Sequence, residues 1–412
     1  MSNIGLKLPI ASSLRVHMVT LVAYSVAASA PTPLYRLYQA RWHFPPGLLT
    51  LIFGVYSFAL LLALLVVGRL SDYIGRRPVI SLGLTLQLAA MGLFLAEDGP
   101  GWLIAARVLQ GAASGLAAAA LGASLIDLDR RRGALINGLA PMAGMALGAM
   151  GSTALVQLAP APLHLTFVLL LVVFSVQLLQ TWRTPETAAG RPGALKSLRP
   201  SLAVPPLAKA ELLAVMPINV AVWALAGFYL SLMPSLIAHV TGSASAWLGG
   251  LSVAALTLSA GIAILVMRQR RALTVLIVGA AALVVGMLAI LAGANLGLEV
   301  VLLIGSVTAG IGVGAGFLGA LSSVMPLAEP GERAGLVAVF HVGTYLAFSL
   351  PAILAGYLTQ RLDLLTVTNL YGAVLALLAL TGLILTLVRH RRGKTDIDVV
   401  DIEGQRNRCP SE

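Results

Sequence analysis

Charge is scarce in this sequence. Only 10% of its 412 residues are Asp, Glu, Lys or Arg, against 58% hydrophobic residues and a mean hydropathy of +0.92. A soluble domain carries roughly 25% charged residues. So few charges cannot cover a water-facing surface, and a wholly soluble fold is excluded. Cysteine is nearly absent: Cys409 stands alone in a polar end segment, so there is neither an intrachain disulfide framework nor a Cys-based metal site. A nucleophile–base pair, a His/Asp/Glu cluster with metal spacing and a phosphate-cradling loop are all lacking, so no enzyme class is supported and no cofactor or metal is expected. No Asp or Glu falls deep inside an apolar run; Glu211 sits at the edge of one. The net charge of +11 is spread in small clusters, without the basic, aromatic-interleaved face that nucleic acid requires. The first apolar run has no small-residue cleavage site, which predicts a retained helix instead of a signal peptide.

What is present is a series of apolar runs, each near the ~20 residues that a spanning helix needs. They lie at about 16–38, 47–67, 79–97, 101–126, 134–158 and 162–182, then at 211–234, 245–267, 272–292, 297–325, 335–357 and 365–388. The stretch Arg183-Thr-Pro-Glu-Thr-Ala-Ala-Gly-Arg-Pro-Gly separates the two sets and reads as a linker. The expected fold is an all-α membrane protein of twelve transmembrane helices in two six-helix bundles. An N-terminal bundle occupies 1–182, a cytoplasmic linker 183–209, a C-terminal bundle 210–388 and a cytoplasmic tail 389–412. The tail, with Asp396, Asp398, Asp401 and Glu403, reads as a disordered end. With the N-terminus inside, 23 Lys and Arg residues fall on the cytoplasmic side; only Arg36, Arg41 and Arg361 fall outside, and Arg107 lies within a run. The positive-inside rule therefore predicts an even number of spans and cytoplasmic termini. Arginine in excess over lysine, with abundant alanine, points to a GC-rich bacterium and hence to its inner membrane.

The halves resemble each other. Val108-Leu-Gln-Gly111-Ala-Ala-Ser-Gly115 pairs with Val307-Thr-Ala-Gly310-Ile-Gly-Val-Gly314 at an offset of 199. Arg132-Gly-Ala-Leu135 pairs with Arg333-Ala-Gly-Leu336, and Pro33 with Pro234, each at an offset of 201. Parallel six-helix repeats of this kind place a substrate site near the midplane, between the halves.

The most specific motif is Gly68-Arg-Leu70-Ser-Asp72-Tyr-Ile-Gly75-Arg76-Arg77-Pro78, between the second and third runs. Its glycines suit a tight turn. Asp72 suits the positive N-terminus of a neighbouring helix, and Arg76 and Arg77 suit an anionic cytoplasmic leaflet. The segment resembles the signature loop of the major facilitator superfamily, Gly-x-Leu-x-Asp-x-x-Gly-Arg-Arg/Lys. The resemblance implies a latch that holds one access state through a charge relay, with Asp127 at the end of the fourth run as the partner of Arg76. The simpler reading is a set of interfacial charges that fix topology. The equivalent loop of the second half, Met267-Arg-Gln-Arg-Arg271, lacks the pattern.

Arg107, Gln110, Gly111 and Gly115 resemble the superfamily's fourth-helix motif, Arg-x-x-Gln-Gly-x-x-x-Gly, which implies proton or substrate handling. The alternatives are a structural arginine on backbone carbonyls and a glycine packing face. Gly138-Leu-Ala-Pro141-Met-Ala-Gly144-Met-Ala-Leu-Gly148 resembles a degraded antiporter motif, with Ala140 before the proline, and equally resembles ordinary helix packing. Pro31-Thr-Pro33 resembles a Pro-x-x-Pro element of twelve-helix exporters, although its prolines are two apart. Tyr24, Asn137, Asn219, Trp223, Tyr229, His341 and Tyr345 are further cavity candidates. His341 and Tyr345 share a helix face, and His341 could couple protons or simply pack. A cavity with Arg107 and no deep acid suits anionic, zwitterionic or neutral amphipathic solutes over strong cations. These residues predict a monomeric, proton-linked exporter of a small organic solute embedded in the lipid bilayer. Uptake or facilitated diffusion by the same fold is the alternative, and a non-transporting sensor a third reading.

Overall fold

The computed structural model describes residues 8–406 except 201, 243, 244 and 330; the side chains of 196 and 389–406 are outside that description. Among the described residues there is no strand, and twelve helices are long and apolar enough to cross a bilayer. The first to sixth spans are Ile10–Trp42, Pro46–Val67, Arg76–Leu95, Pro100–Leu128, Arg130–Leu158 and Pro162–Thr181. The seventh to twelfth are Pro206–Ser231, Trp247–Met267, Ala272–Leu296, Glu299–Leu327, Arg333–Leu358 and Leu364–Val388. Lipid offers the backbone no hydrogen-bond partner, so a chain this apolar must satisfy its peptide groups internally, within helices. Leu62, Leu179, Leu213, Val266 and Leu377 remain exposed on the outer surface, where hydrocarbon and not water is their natural neighbour.

Three helices depart from the sequence expectation. The first is longer than 16–38: it runs Ile10–Ser29, bends at Ala30 and resumes as Pro31–Trp42. Pro31 lacks the amide that would continue the ladder, and its ring crowds the preceding turn. The seventh behaves alike, breaking at Leu232 before a second segment, Met233–Thr241, which carries Pro234. The twelfth does not give way to a disordered end after 388. Its helix continues to Arg406, and no proline interrupts the sequence before Pro410. Lys7, Cys409 and the acidic tail side chains lie outside the described residues.

Packing shows the internal repeat directly. The first span packs on the fifth, the second on the fourth, and the third on the fourth and sixth. The seventh packs on the eleventh, the eighth on the tenth, and the ninth on the tenth and twelfth. Glycine makes the closest of these approaches possible, since helices in lipid associate through tight packing without a hydrophobic drive. A Cβ at Gly111 or Gly115 would strike the carbonyls of Tyr56 and Leu60 on the second span. One at Gly310 or Gly314 would strike those of Leu256 and Ala260 on the eighth. Gly144 and Gly148 seat the fifth span against Val22 and Val26 of the first in the same manner.

The two halves meet along two seams, second span on eleventh and fifth on eighth. Near the face opposite the linker both seams are tight: Gly356 lies against Thr50, and Gly250 against Thr153. In both pairs the threonine belongs to the first half and the glycine to the second. Thr32 also donates a hydrogen bond across the halves to the carbonyl of Leu230, at 3.0 Å.

Candidate functional site

Between the halves, near mid-span, lies a cavity of about 170 Å³. The first, second, fourth and fifth spans contribute Tyr24, Phe53, Tyr56, Arg107, Pro141 and Met145; the seventh and eleventh contribute Trp223, Tyr345 and Phe348. A second cavity of about 300 Å³ continues towards the linker face, sharing Ala118 and Tyr345 with the first and lined further by Arg69 and His341. The space is thus closed by the threonine–glycine seams on one face and runs towards the linker on the other. Among the lining residues of both cavities there is no Asp or Glu.

Arg107 is the largest fully buried side chain, 1% exposed. One turn on, Gln110 accepts a 2.7 Å hydrogen bond from its Nη1, which also donates to the carbonyl of Ala28 at 3.3 Å. Gln110 in turn donates to the carbonyl of Ala27, at 2.9 Å. The guanidinium lies over the Tyr56 ring at 4.4 Å and near Phe53 at 5.9 Å, a geometry in which the ring quadrupole offsets part of the buried charge. Its Nε has no acceptor among the described residues. The hydroxyl of Tyr24 and the indole Nε1 of Trp223, also in the cavity wall, likewise lack partners.

The other sequence candidates divide. Tyr345 lines both cavities and stacks on His341 at 5.9 Å. His341 lines only the linker-face cavity, its Nδ1 2.8 Å from the carbonyl of Val337. Asn219 is away from the cavity, donating across the seventh–eleventh contact to Thr344 at 3.1 Å. Asn137 donates to the carbonyl of Gly122 at 2.9 Å, and Tyr229 bonds Ser306 at 2.7 Å. Both hold helices together. Phe53, Tyr56 and Phe348 escaped the sequence reading, because one aromatic in an apolar run looks like any other.

On the linker face, Arg76 pairs with Asp72 and, at 3.2 Å, with Asp127. Gly75 uses the freedom of glycine, at φ +99°, whereas Gly68 takes an ordinary helical φ of −58° and needs none. The N-terminus of the third span is capped by Glu186 of the linker and not by Asp72. Its carboxylate accepts from the amides of Arg76 (2.7 Å) and Arg77 (3.0 Å). Thr187 donates to Asp127 at 3.0 Å, and Arg191 donates to the carbonyl of Asp72 at 3.1 Å while covering the Tyr73 ring. Arg77 donates to the carbonyl of Trp182 at 2.8 Å. The linker therefore straps the motif loop. In the sequence alone this segment reads only as a spacer.

A buried carboxylate also escaped. Glu97, in the turn between the third and fourth spans on the opposite face, has a side chain 1% exposed and pairs with Arg41 at 3.3 Å. Burial pushes its carboxyl above the usual range, against the pull of Tyr38, His164 and Arg41. The sequence signal was Arg41, one of few basic residues on that side.

Comparison with known proteins places this architecture. A search of curated proteins finds no match. Among solved structures, the chain is similar to the nucleoside transporter NupG, with a TM-score of 0.71 over 90% of this chain and 99% of that one. Identity is 11%, so the likeness is one of fold alone. The family model described as Major Facilitator Superfamily matches residues 18–300. With twelve spans in two repeated halves, a cavity between them and a family match over most of its length, the chain belongs to the major facilitator superfamily of membrane transporters.

Proposed function

We propose that the protein is a secondary transporter that moves a small organic solute out across the bacterial inner membrane, as a monomer, by alternating access coupled to protons. The observation that carries this reading is the central cavity, walled by both halves, with tight seams towards one face and a second cavity adjoining it towards the other. Rocking about the two seams would open the first of these faces and close the other. Basic residues concentrated on the linker face, Arg69, Arg76, Arg77 and Arg130–Arg132 among them, support a cytoplasmic assignment for it and for both termini. On this reading Asp72, Arg76, Arg77 and Asp127 form the latch, and the division between halves falls in the linker 183–209. Arg107, Gln110, Trp223 and Tyr345 handle the solute, with His341 on the proton route.

One observation favours the alternative of uptake or facilitated diffusion. The central cavity holds no carboxylate or imidazole, and His341 stands in the vestibule below it. Purified protein in proteoliposomes, with an imposed pH gradient and a panel of amphipathic, anionic and vitamin-like solutes, separates the two. Accumulation driven by protons moving the opposite way supports export. Flux that ignores the gradient, or runs with the protons, overturns it in favour of the alternative.

A further inference from the structure

Within that transport reading, we infer that the solute is a compact organic anion, a carboxylate on an aromatic or branched apolar body, with its charge held against Arg107. Three features of the cavity converge on this class.

The first is an uncompensated cation. Among the described residues Arg107 forms no ion pair, and its two polar partners, Gln110 and the Ala28 carbonyl, are neutral. A charged side chain at the centre of a span costs about 2.5–3.5 kcal/mol on insertion scales and ordinarily finds a counter-charge or a water-filled path. The second is an excess of donors. Arg107 Nε and the indole N–H of Trp223 can only donate, the Tyr24 hydroxyl readily does so, and all three are buried without partners. Buried polar groups are ordinarily satisfied; a site that leaves several donors open and lacks any acid is short of an acceptor. A carboxylate supplies two oxygens and one negative charge, and guanidinium–carboxylate hydrogen bonds are among the strongest available.

The third is the shape and chemistry of the remainder. Phe53, Trp223, Phe348 and Met145 make most of the remaining lining apolar, with Trp223 edge-on to Phe348 at 6.0 Å. A volume of about 170 Å³ admits a small body and excludes a long acyl chain. Arg107 and Tyr24 belong to one half and Trp223 and Phe348 to the other, so a solute held head to Arg107 and body to the aromatics would contact both halves. Such a solute can bias the rocking equilibrium, since a ligand shifts states by its differential contacts with them.

The test uses three probes of one shape: benzoate, benzamide and benzylamine, titrated onto the purified protein in nanodiscs by calorimetry. Benzoate is expected to bind saturably, at least about ten-fold tighter than benzamide, with benzylamine weakest. In Arg107→Gln the preference for benzoate over benzamide is expected to vanish, and Arg107→Lys should keep part of it. Because the charge series is read on the wild type, the conclusion survives an Arg107→Gln protein that fails to fold. Equal binding of the three probes, tighter binding of benzylamine, or no binding of benzoate would each overturn the anion assignment. Radiolabelled benzoate in proteoliposomes tests the underlying reading separately. Binding without counterflow would leave the anion site standing and count against transport.

Discussion

Gly356→Ala adds one methyl group where the seal opposite the linker is closest. The new Cβ would stand 2.7 Å from the Cβ of Thr50, with Thr50 Oγ1 and Cγ2 closer still. Rotating Thr50 moves its Oγ1 and Cγ2 but leaves its Cβ in place. Carbon atoms pack at about 3.5–4.0 Å, so the second and eleventh spans have to part by about 1 Å. Overpacking of this kind costs about 1–3 kcal/mol. The cost falls on the state closed at this face and not on the state in which the seam is open. The population ratio should therefore move about 5–150-fold towards the open state. The readout is a cysteine in the central cavity, Ser25→Cys in a Cys409→Ser background, labelled by a membrane-impermeant maleimide applied to the face opposite the linker. Gly356→Ala should raise the labelling rate at least about five-fold. Adding Thr50→Gly should restore it, and Gly250→Ala against Thr153 should act in parallel. An unchanged labelling rate in a variant that melts like wild type would refute the reasoning.

Three other outcomes follow from the geometry. Asp72→Asn removes the charge that pairs with Arg76 and should slow solute flux without lowering the melting temperature; flux at the wild-type rate would remove Asp72 from the latch. Glu186→Ala uncaps the third span and should cost about 0.5–1 kcal/mol, read as earlier proteolysis of the linker; an unchanged cleavage pattern would show that the strap does not depend on this cap. Glu97 carries a raised pKa, so the folded state binds its proton more tightly than the unfolded chain does. The stability it contributes is present below the ordinary carboxylate pKa near 4.5 and is lost as pH rises through the folded value. Thermal stability of the wild type should fall across that window and that of Glu97→Gln should not; parallel curves would contradict the burial argument.

Much of the fold was legible because lipid imposes it: helices of set length, with small residues wherever two must touch, leave a strong one-dimensional signal. The two-fold repeat showed as glycines at a shared offset, since only glycine lets the fourth span approach the carbonyls of the second and the tenth those of the eighth. Arg107 was legible as a charge in an apolar run, and the proximity of Arg76 and Asp127 followed from a motif. The far walls of the cavity were not, because Phe53 and Phe348 differ from packing residues only in where two halves happen to face each other. The strap was invisible for the opposite reason. Glu186 and Arg191 sit in a Pro- and Gly-rich stretch whose composition says linker, while their work is done by individual hydrogen bonds to a loop over a hundred residues away. Asn219 and Asn137 looked like cavity polars, but in an apolar bundle a polar side chain bonds the nearest partner, here a neighbouring helix.

Alternating access about the central cavity is tested most directly by two distances measured in one sample. Spin labels at Arg36→Cys and His239→Cys report the face opposite the linker, and labels at Arg69→Cys and Ala334→Cys report the linker face. With Gly356→Ala as the perturbation, the first distance should lengthen and the second shorten together, as two halves rocking about one site require. A face opposite the linker that widens while the linker-face distance stays fixed would contradict the account.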